Sequence, residues 1–155
     1  MEDIVRRLEK LEKTISTMES CTGGAVANAI TNVEGASNIL KFSAVTYSNE
    51  FKIKMGVEKE LIDKYSVYSM EVAENMAKNI SEFTSSNYGI GITGKLSIPD
   101  PMNEDGIDNQ VFISIYDRDD NKYFNDDIFV TGVNRKESKE QIVNKIIDML
   151  KIAIN

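Results

Sequence analysis

The chain has no histidine at all. That absence excludes a Ser-His-Asp triad, a Cys-His pair and any His-ligated metal. If a nucleophile works here, its base must be a lysine, a tyrosine or a carboxylate. A single cysteine, Cys21, excludes an internal disulfide. No apolar run approaches the ~18 residues that would span a bilayer. The opening "MEDIVRRLEKLEK" is a charged helical pattern without the apolar core of a signal peptide. A cytoplasmic protein with no membrane partner is the expectation. The formal charge of −7 argues against nucleic acid as a partner, because phosphate neutralisation needs a basic face. It leaves room for a small anion in a local pocket.

What is present suits one globular domain over 1–155. Hydrophobic residues make up 41% and charged residues 28%, so a chain of this length buries roughly two thirds of its unfolded surface. Ile4, Val5, Leu8 and Leu11 recur at helical spacing in 3–13. "TISTM" is a strand candidate and "TGGAVANAITNV" a helix of small residues. "KFSAVTYS" (41–48) predicts a strand, and "NEFKIKMGV" a short helix stopped by Gly56. Two helices follow, broken near Ser66, the second capped by Ser69 with Val72, Met76 and Ile80 on one face. "YGIGIT" (88–93) is a third strand, and "NQVFISIYDR" with "NKYFNDDIFV" reads as a hairpin. The last helix aligns Ile142, Ile146, Leu150 and Ile154. The order predicts an α/β fold, a three-layer α/β/α sandwich around a mixed β-sheet. The ligand site is then expected at strand C-termini.

Two stretches carry candidate chemistry. In "ESCTGG" (19–24), Ser20, Cys21 and Thr22 stand where a strand turns into a helix. A helix starting near Thr22 would aim free amides and a positive dipole end at Ser20, the layout acyl transfer needs. The plainer reading is that Ser20 or Thr22 caps the helix. In "YSNEFK" (47–52), Lys52 lies one turn into a helix behind Tyr47, Ser48 and Asn49. Lysine serves as a base when burial disfavours its charge. Here the plainer reading is a strand end, an Asn cap and an exposed lysine.

"GIGITGK" (89–95) mimics a phosphate-binding loop. It lacks the Ser or Thr that would hold magnesium and the following helix, and it alternates like a strand. Carboxylates are plentiful at Glu19, Glu50, Asp100, Glu104, Asp105 and Asp108, but their spacing matches no calcium loop. The stretch "KLSIPDPMNEDGIDN" (95–109) holds both prolines and is long for a connection.

In order and spacing, "ESCTGG", "GAS" (35–37), "YSNEFK", "MGV" (55–57), "VYSMEVAENMA" (67–77) and "ITG" (92–94) resemble the C-terminal domain of CinA-type competence-damage-inducible proteins. That domain also occurs alone as nicotinamide-nucleotide amidohydrolase. The resemblance implies hydrolysis of the carboxamide of nicotinamide mononucleotide to nicotinic acid mononucleotide and ammonia. It implies Ser20 as nucleophile, Lys52 as base and Tyr47 as their helper in proton transfer. It implies substrate or oxyanion contacts at Thr22, Gly23 and Gly24, at Ser48 and Asn49, at Ser69, at Thr93 and Gly94, and at Arg135. It implies no metal or other cofactor, a small nucleotide as substrate, and a homo-oligomer, dimer or higher. The departures lie in the substrate loop. The family continues "TG" into a glycine-rich "AGP-GGG" stretch, which here becomes Lys95 and a run of acids. Asp100, Glu104 and Asp105 would repel a phosphate if they faced the pocket. Where the family carries "GDR-x-x-x-R", this chain keeps Arg135 but has Lys139 at the later position. Two further readings therefore stand beside the amidase: a Ser-Lys hydrolase of another amide or ester, and a non-catalytic nucleotide-binding or oligomerisation module.

Overall fold

A computed structural model describes residues 1–96 and 103–154. The stretch 97–102, with both prolines and Asp100, lies outside the described residues. Five strands form one mixed sheet: β1 (Ile15–Glu19), β2 (Leu40–Val45), β3 (Tyr88–Gly94), β4 (Gln110–Asp117) and β5 (Lys122–Phe129), in the order β2-β1-β3-β4-β5. β1 runs parallel to both neighbours, with Glu19 level with Val45 and Ile92. β3–β4 and β4–β5 are antiparallel. The hairpin turn is closed by the Asp117 carboxylate, which accepts from the amides of Asp119 and Asp120.

The chain leaves β1 through α2 (Ala25–Thr31) and α3 (Ala36–Ile39) to reach β2 on one side. It returns through α4 (Asn49–Lys54), α5 (Lys59–Tyr65) and α6 (Met70–Thr84) to β3 on the other side of β1. Right-handed crossovers in opposite directions put their helices on opposite faces. One face carries α2, α3, α1 (Glu2–Lys10) and α7 (Arg135–Ala153), packed on Ile15, Ile90, Ile92, Ile113 and Ile115. Ile142, Ile146, Leu150 and Ile154 are all buried there, as their spacing predicts. The other face gathers Met18, Val57, Val67, Val72, Met76 and Ile80 under α5 and α6. This is the three-layer arrangement, with the direction of traverse reversing at β1.

α6 lies unusually close to β3, and the glycines of "GIGIT" are the reason. A Cβ on Gly89 would stand 2.0 Å from the Ala77 carbonyl oxygen, and one on Gly91 would stand 2.1 Å from that of Ala73. These glycines make room for a helix backbone; they cradle no phosphate. The polar residues of β1 are buried with partners: Ser16 Oγ meets Thr84 Oγ1 at 2.9 Å, and Thr17 hydrogen-bonds Ser43.

Several boundaries differ from expectation. β2 ends at Val45, so Tyr47 and Ser48 lie beyond it, and Ser48 rather than Asn49 caps α4 by accepting from the Phe51 amide. The short α3 has no counterpart in the sequence reading. α2 starts at Ala25 instead of Thr22, after a tight turn in which Gly23 and Gly24 take φ of +60° and +95°.

Candidate active site

The C-terminal ends of β1, β2 and β3 meet at one edge of the sheet, and the segments that leave them line a cavity of about 560 Å³. Ser20 and Cys21 come from β1, Tyr47 to Lys52 from β2 and α4, and Gly94 to Leu96 from β3. Val67, Tyr68, Asn103 and Arg135 complete the wall. An open parallel sheet offers its ligand crevice at such a reversal point.

Ser20 and Lys52 are brought together directly. Lys52 Nζ lies 3.0 Å from Ser20 Oγ and donates to the Thr46 carbonyl at 2.8 Å. The pair is made because Thr46 is anchored to β1, its amide donating to the Glu19 carbonyl, while Lys52 sits one turn into α4. Lys52 is 2% exposed, so the lysine expected at the surface on local pattern is inside. Removal from water disfavours an ammonium. An amine that donates a hydrogen bond to the Thr46 carbonyl can turn its lone pair to the Ser20 hydroxyl, an arrangement suited to making an alkoxide.

Tyr47 is placed otherwise. It lines the cavity but is 65% exposed, and its hydroxyl accepts from Arg135 Nη2 at 3.2 Å. No hydrogen bond links it to Ser20. Arg135, the first residue of α7, also donates through Nη1 to the Leu96 carbonyl at 2.8 Å, tying the ends of β2 and β3 together across the cavity mouth. Asn49 lines the cavity and donates to Asn103 at 2.8 Å. Ser48 and Gly94 also line it. Ser69 and Thr93 do not appear in the wall. The Ser69 hydroxyl is used at the head of α6, accepting from Val72 and donating to the Ser66 carbonyl. Thr93 Oγ1 donates to the Val67 carbonyl at 2.8 Å.

The corner itself holds a correction. Neither Ser20 nor Thr22 caps α2; Glu19 does. Fully buried, its carboxylate accepts from the amides of Gly24 at 3.0 Å, Val26 at 3.2 Å and Ala27 at 2.8 Å. The helix end expected to stabilise an oxyanion therefore already carries an anion. The Gly23 amide donates to the Ser20 carbonyl. Among the described residues, no backbone carbonyl accepts from the amides of Cys21 or Thr22. Thr22 also has a buried hydroxyl without a hydrogen-bond partner. A signal for Glu19 was available: α2 begins after two glycines with no acid in its first turn, so its amides need an acceptor from elsewhere.

Cys21 lines the cavity, yet burial pushes its thiol up to about 12, against the lowering influence of Lys52. It is a poor nucleophile at neutral pH. Lys95, noted in the sequence as a replacement rather than as a site residue, is 5% exposed and forms part of the wall. Of the acids expected to repel a phosphate, Asp100 lies outside the described residues, while Glu104 and Asp105 are exposed and their backbone carbonyls face Lys95 Nζ. Lys139 reaches the backbone of the corner, where a Cβ on Gly23 would stand 3.2 Å from its Nζ.

The family model of the CinA C-terminal domain matches residues 1–154. A putative competence-damage inducible protein of Clostridium kluyveri is 40% identical over 121 residues, 76% of this chain and 29% of that protein. One of Clostridium botulinum is 35% identical over 153 residues, 97% of this chain and 36% of that protein. The chain thus spans about a third of these curated relatives. Among solved structures, a competence/damage inducible protein of Agrobacterium tumefaciens superposes with a TM-score of 0.85 at 27% identity, covering 99% of this chain and 94% of that one. A CinA superfamily protein of Klebsiella pneumoniae reaches 0.89 at 21% identity, with 99% and 94% covered, and so speaks for the fold alone. With a whole-chain family match and relatives of this identity, the chain belongs to the CinA C-terminal domain family.

Proposed function

We propose that this protein is an amidohydrolase that uses Ser20 as nucleophile and Lys52 as base, acting on the carboxamide of nicotinamide mononucleotide. The buried 3.0 Å contact between Lys52 Nζ and Ser20 Oγ at the floor of the cavity carries the reading. Neutral Lys52 takes the Ser20 proton as the alkoxide forms a bond to the amide carbon. The oxyanion is held by the amides of Cys21 and Thr22, the donors of the corner that the fold leaves over. The Lys52 ammonium returns its proton to the leaving nitrogen, the C–N bond breaks and ammonia departs. Water, deprotonated by the same amine, then attacks the acyl carbon; the bond to Ser20 Oγ breaks, and the Lys52 ammonium returns the proton to Oγ as the acid leaves. Tyr47 acts with Arg135 at the mouth, on the substrate rather than on the proton.

The test is ammonia release from nicotinamide mononucleotide at neutral to alkaline pH. Ser20→Ala and Lys52→Ala lower the rate by roughly a thousandfold or more, as for residues acting as a unit. Tyr47→Phe keeps it within about tenfold, less than the roughly hundredfold or more that loss of an acid–base contact costs. Absence of turnover by the wild-type protein, or activity surviving in Ser20→Ala, overturns the reading. A second reading keeps the Ser20–Lys52 pair and changes the amide or ester; Lys95 in place of a glycine-rich loop favours it. Acylation of Ser20 by a serine-directed reagent, without turnover of the nucleotide, is its signature.

A further inference from the structure

The wall of the cavity contains a second buried lysine that the proposed chemistry leaves unused. Lys95 follows directly on β3, its amide still bonded to the Gln110 carbonyl. Its side chain turns under the loop that leads back to β4. Its partners among the described residues are all distant: the Glu104 carbonyl at 3.4 Å, the Asp105 carbonyl at 3.5 Å and Asp108 Oδ1 at 3.4 Å. A charge-assisted bond from an ammonium to oxygen is ordinarily about 2.7–2.9 Å. A buried ammonium held this loosely leaves much of its desolvation uncompensated. The imbalance is one-sided, because Lys95 is 5% exposed in this pair while Asp108 is 56% exposed. Asp108 can swing into water at small cost; Lys95 cannot. The opening available to Lys95 is the cavity it lines.

We propose that Lys95 is the anion receptor of this cavity, taking a phosphate monoester of the ligand in exchange for the Asp108 carboxylate. The proposal deepens the amidohydrolase reading, on which the identity of the reacting end rests. Glu19 is level with Ile92, and the Ile92 carbonyl accepts from the amide of the next residue, Ser20. Lys95 is three residues further along, about 10 Å of extended chain. The nucleophile and the receptor thus address different ends of one small molecule: an amide at Ser20 and an acidic group at Lys95. In the empty protein Asp108 neutralises the lysine. In the complex the phosphate makes the short contacts that Asp108 does not, and the loop carboxylate moves to solvent.

Calorimetry separates the receptor from a mere loop strap. Nicotinamide mononucleotide and its dephosphorylated nucleoside are titrated into Ser20→Ala protein, in which chemistry is silenced. Adding Lys95→Met weakens the nucleotide by roughly ten- to a hundredfold, the worth of a hydrogen bond to a charged group. The nucleoside is unaffected. Adding Asp108→Asn instead, at an exposed position, tightens the nucleotide several-fold by removing its competitor. Equal weakening of both ligands by Lys95→Met, weaker nucleotide binding in Asp108→Asn, or no nucleotide binding at all overturns the proposal. The two readings fail separately. Lys95-dependent binding without ammonia release by the wild-type protein sinks the amidase alone. Ammonia release with an unchanged KM in Lys95→Met sinks the receptor alone.

Discussion

Cys21 stands beside the proposed nucleophile and differs from it in one respect that matters, its proton. Burial holds the thiol protonated to about pH 12, above its ordinary value of 9.0. Between those values the unfolded chain loses a proton that the folded chain keeps. Stability from this group is therefore complete below pH 9 and declines as pH rises toward 12, by roughly 1.4 kcal/mol per unit at most. Urea melts across that window should show the wild-type protein losing stability more steeply than Cys21→Ala; parallel curves would contradict the assignment. The same protonation keeps Cys21 unreactive toward maleimide at neutral pH. At this scale the sequence was informative where chemistry leaves few choices. The absence of histidine narrowed the base to lysine, tyrosine or a carboxylate, while local pattern favoured a helix cap and an exposed lysine; it was the resemblance to the family that paired Ser20 with Lys52, and they touch. Tyr47 was harder to place, because a long side chain beyond a strand end has many rotamers. Its direction is decided by Arg135, 88 residues away.

Among elements, α2 shows how a short helix is made by a residue outside it. Seven residues with two glycines before them form a weak helix on propensity alone. The Glu19 carboxylate supplies what the local sequence omits, and in doing so staples the Ser20–Gly24 turn closed. Glu19→Gln replaces a charged acceptor with a neutral amide facing three N–H groups. It should lower the unfolding free energy by about 2 kcal/mol and cut ammonia release through a misplaced Ser20. A denaturant midpoint unchanged from wild type would show the carboxylate to be dispensable. The helix start was misread near Thr22 because hydroxyl residues next to glycine look like a cap. The acceptor came from the strand, which a local pattern does not reveal. Long amphipathic segments were legible for the converse reason: α6 and α7 each present one apolar stripe, and burial follows the stripe. The glycines of β3 were recognised as strand rather than loop, but the helix backbone resting on them is a contact between distant segments.

On the scale of the molecule, the order β2-β1-β3 brings the outgoing ends of three parallel strands to one place; the alternation of strands and helices foretold a mixed sheet with a site at strand C-termini, but not this order. What it did not foretell is that the edge keeps two lysine side chains dry. Lys52 and Lys95 are both buried there. Lys52→Met, close in length but apolar, removes the desolvation of an amine while filling its volume. It should unfold at a temperature no lower than wild type, read by calorimetric scan, although inactive in the ammonia assay. A marked drop in Tm would mean that the amine holds the fold together.

That trade has a consequence for descent. Under the proposed chemistry, a lysine kept away from water is a position where selection for sturdiness and selection for turnover pull in opposite directions. A copy of this gene released from its task should drift first at codon 52, toward a chain that is silent and harder to melt.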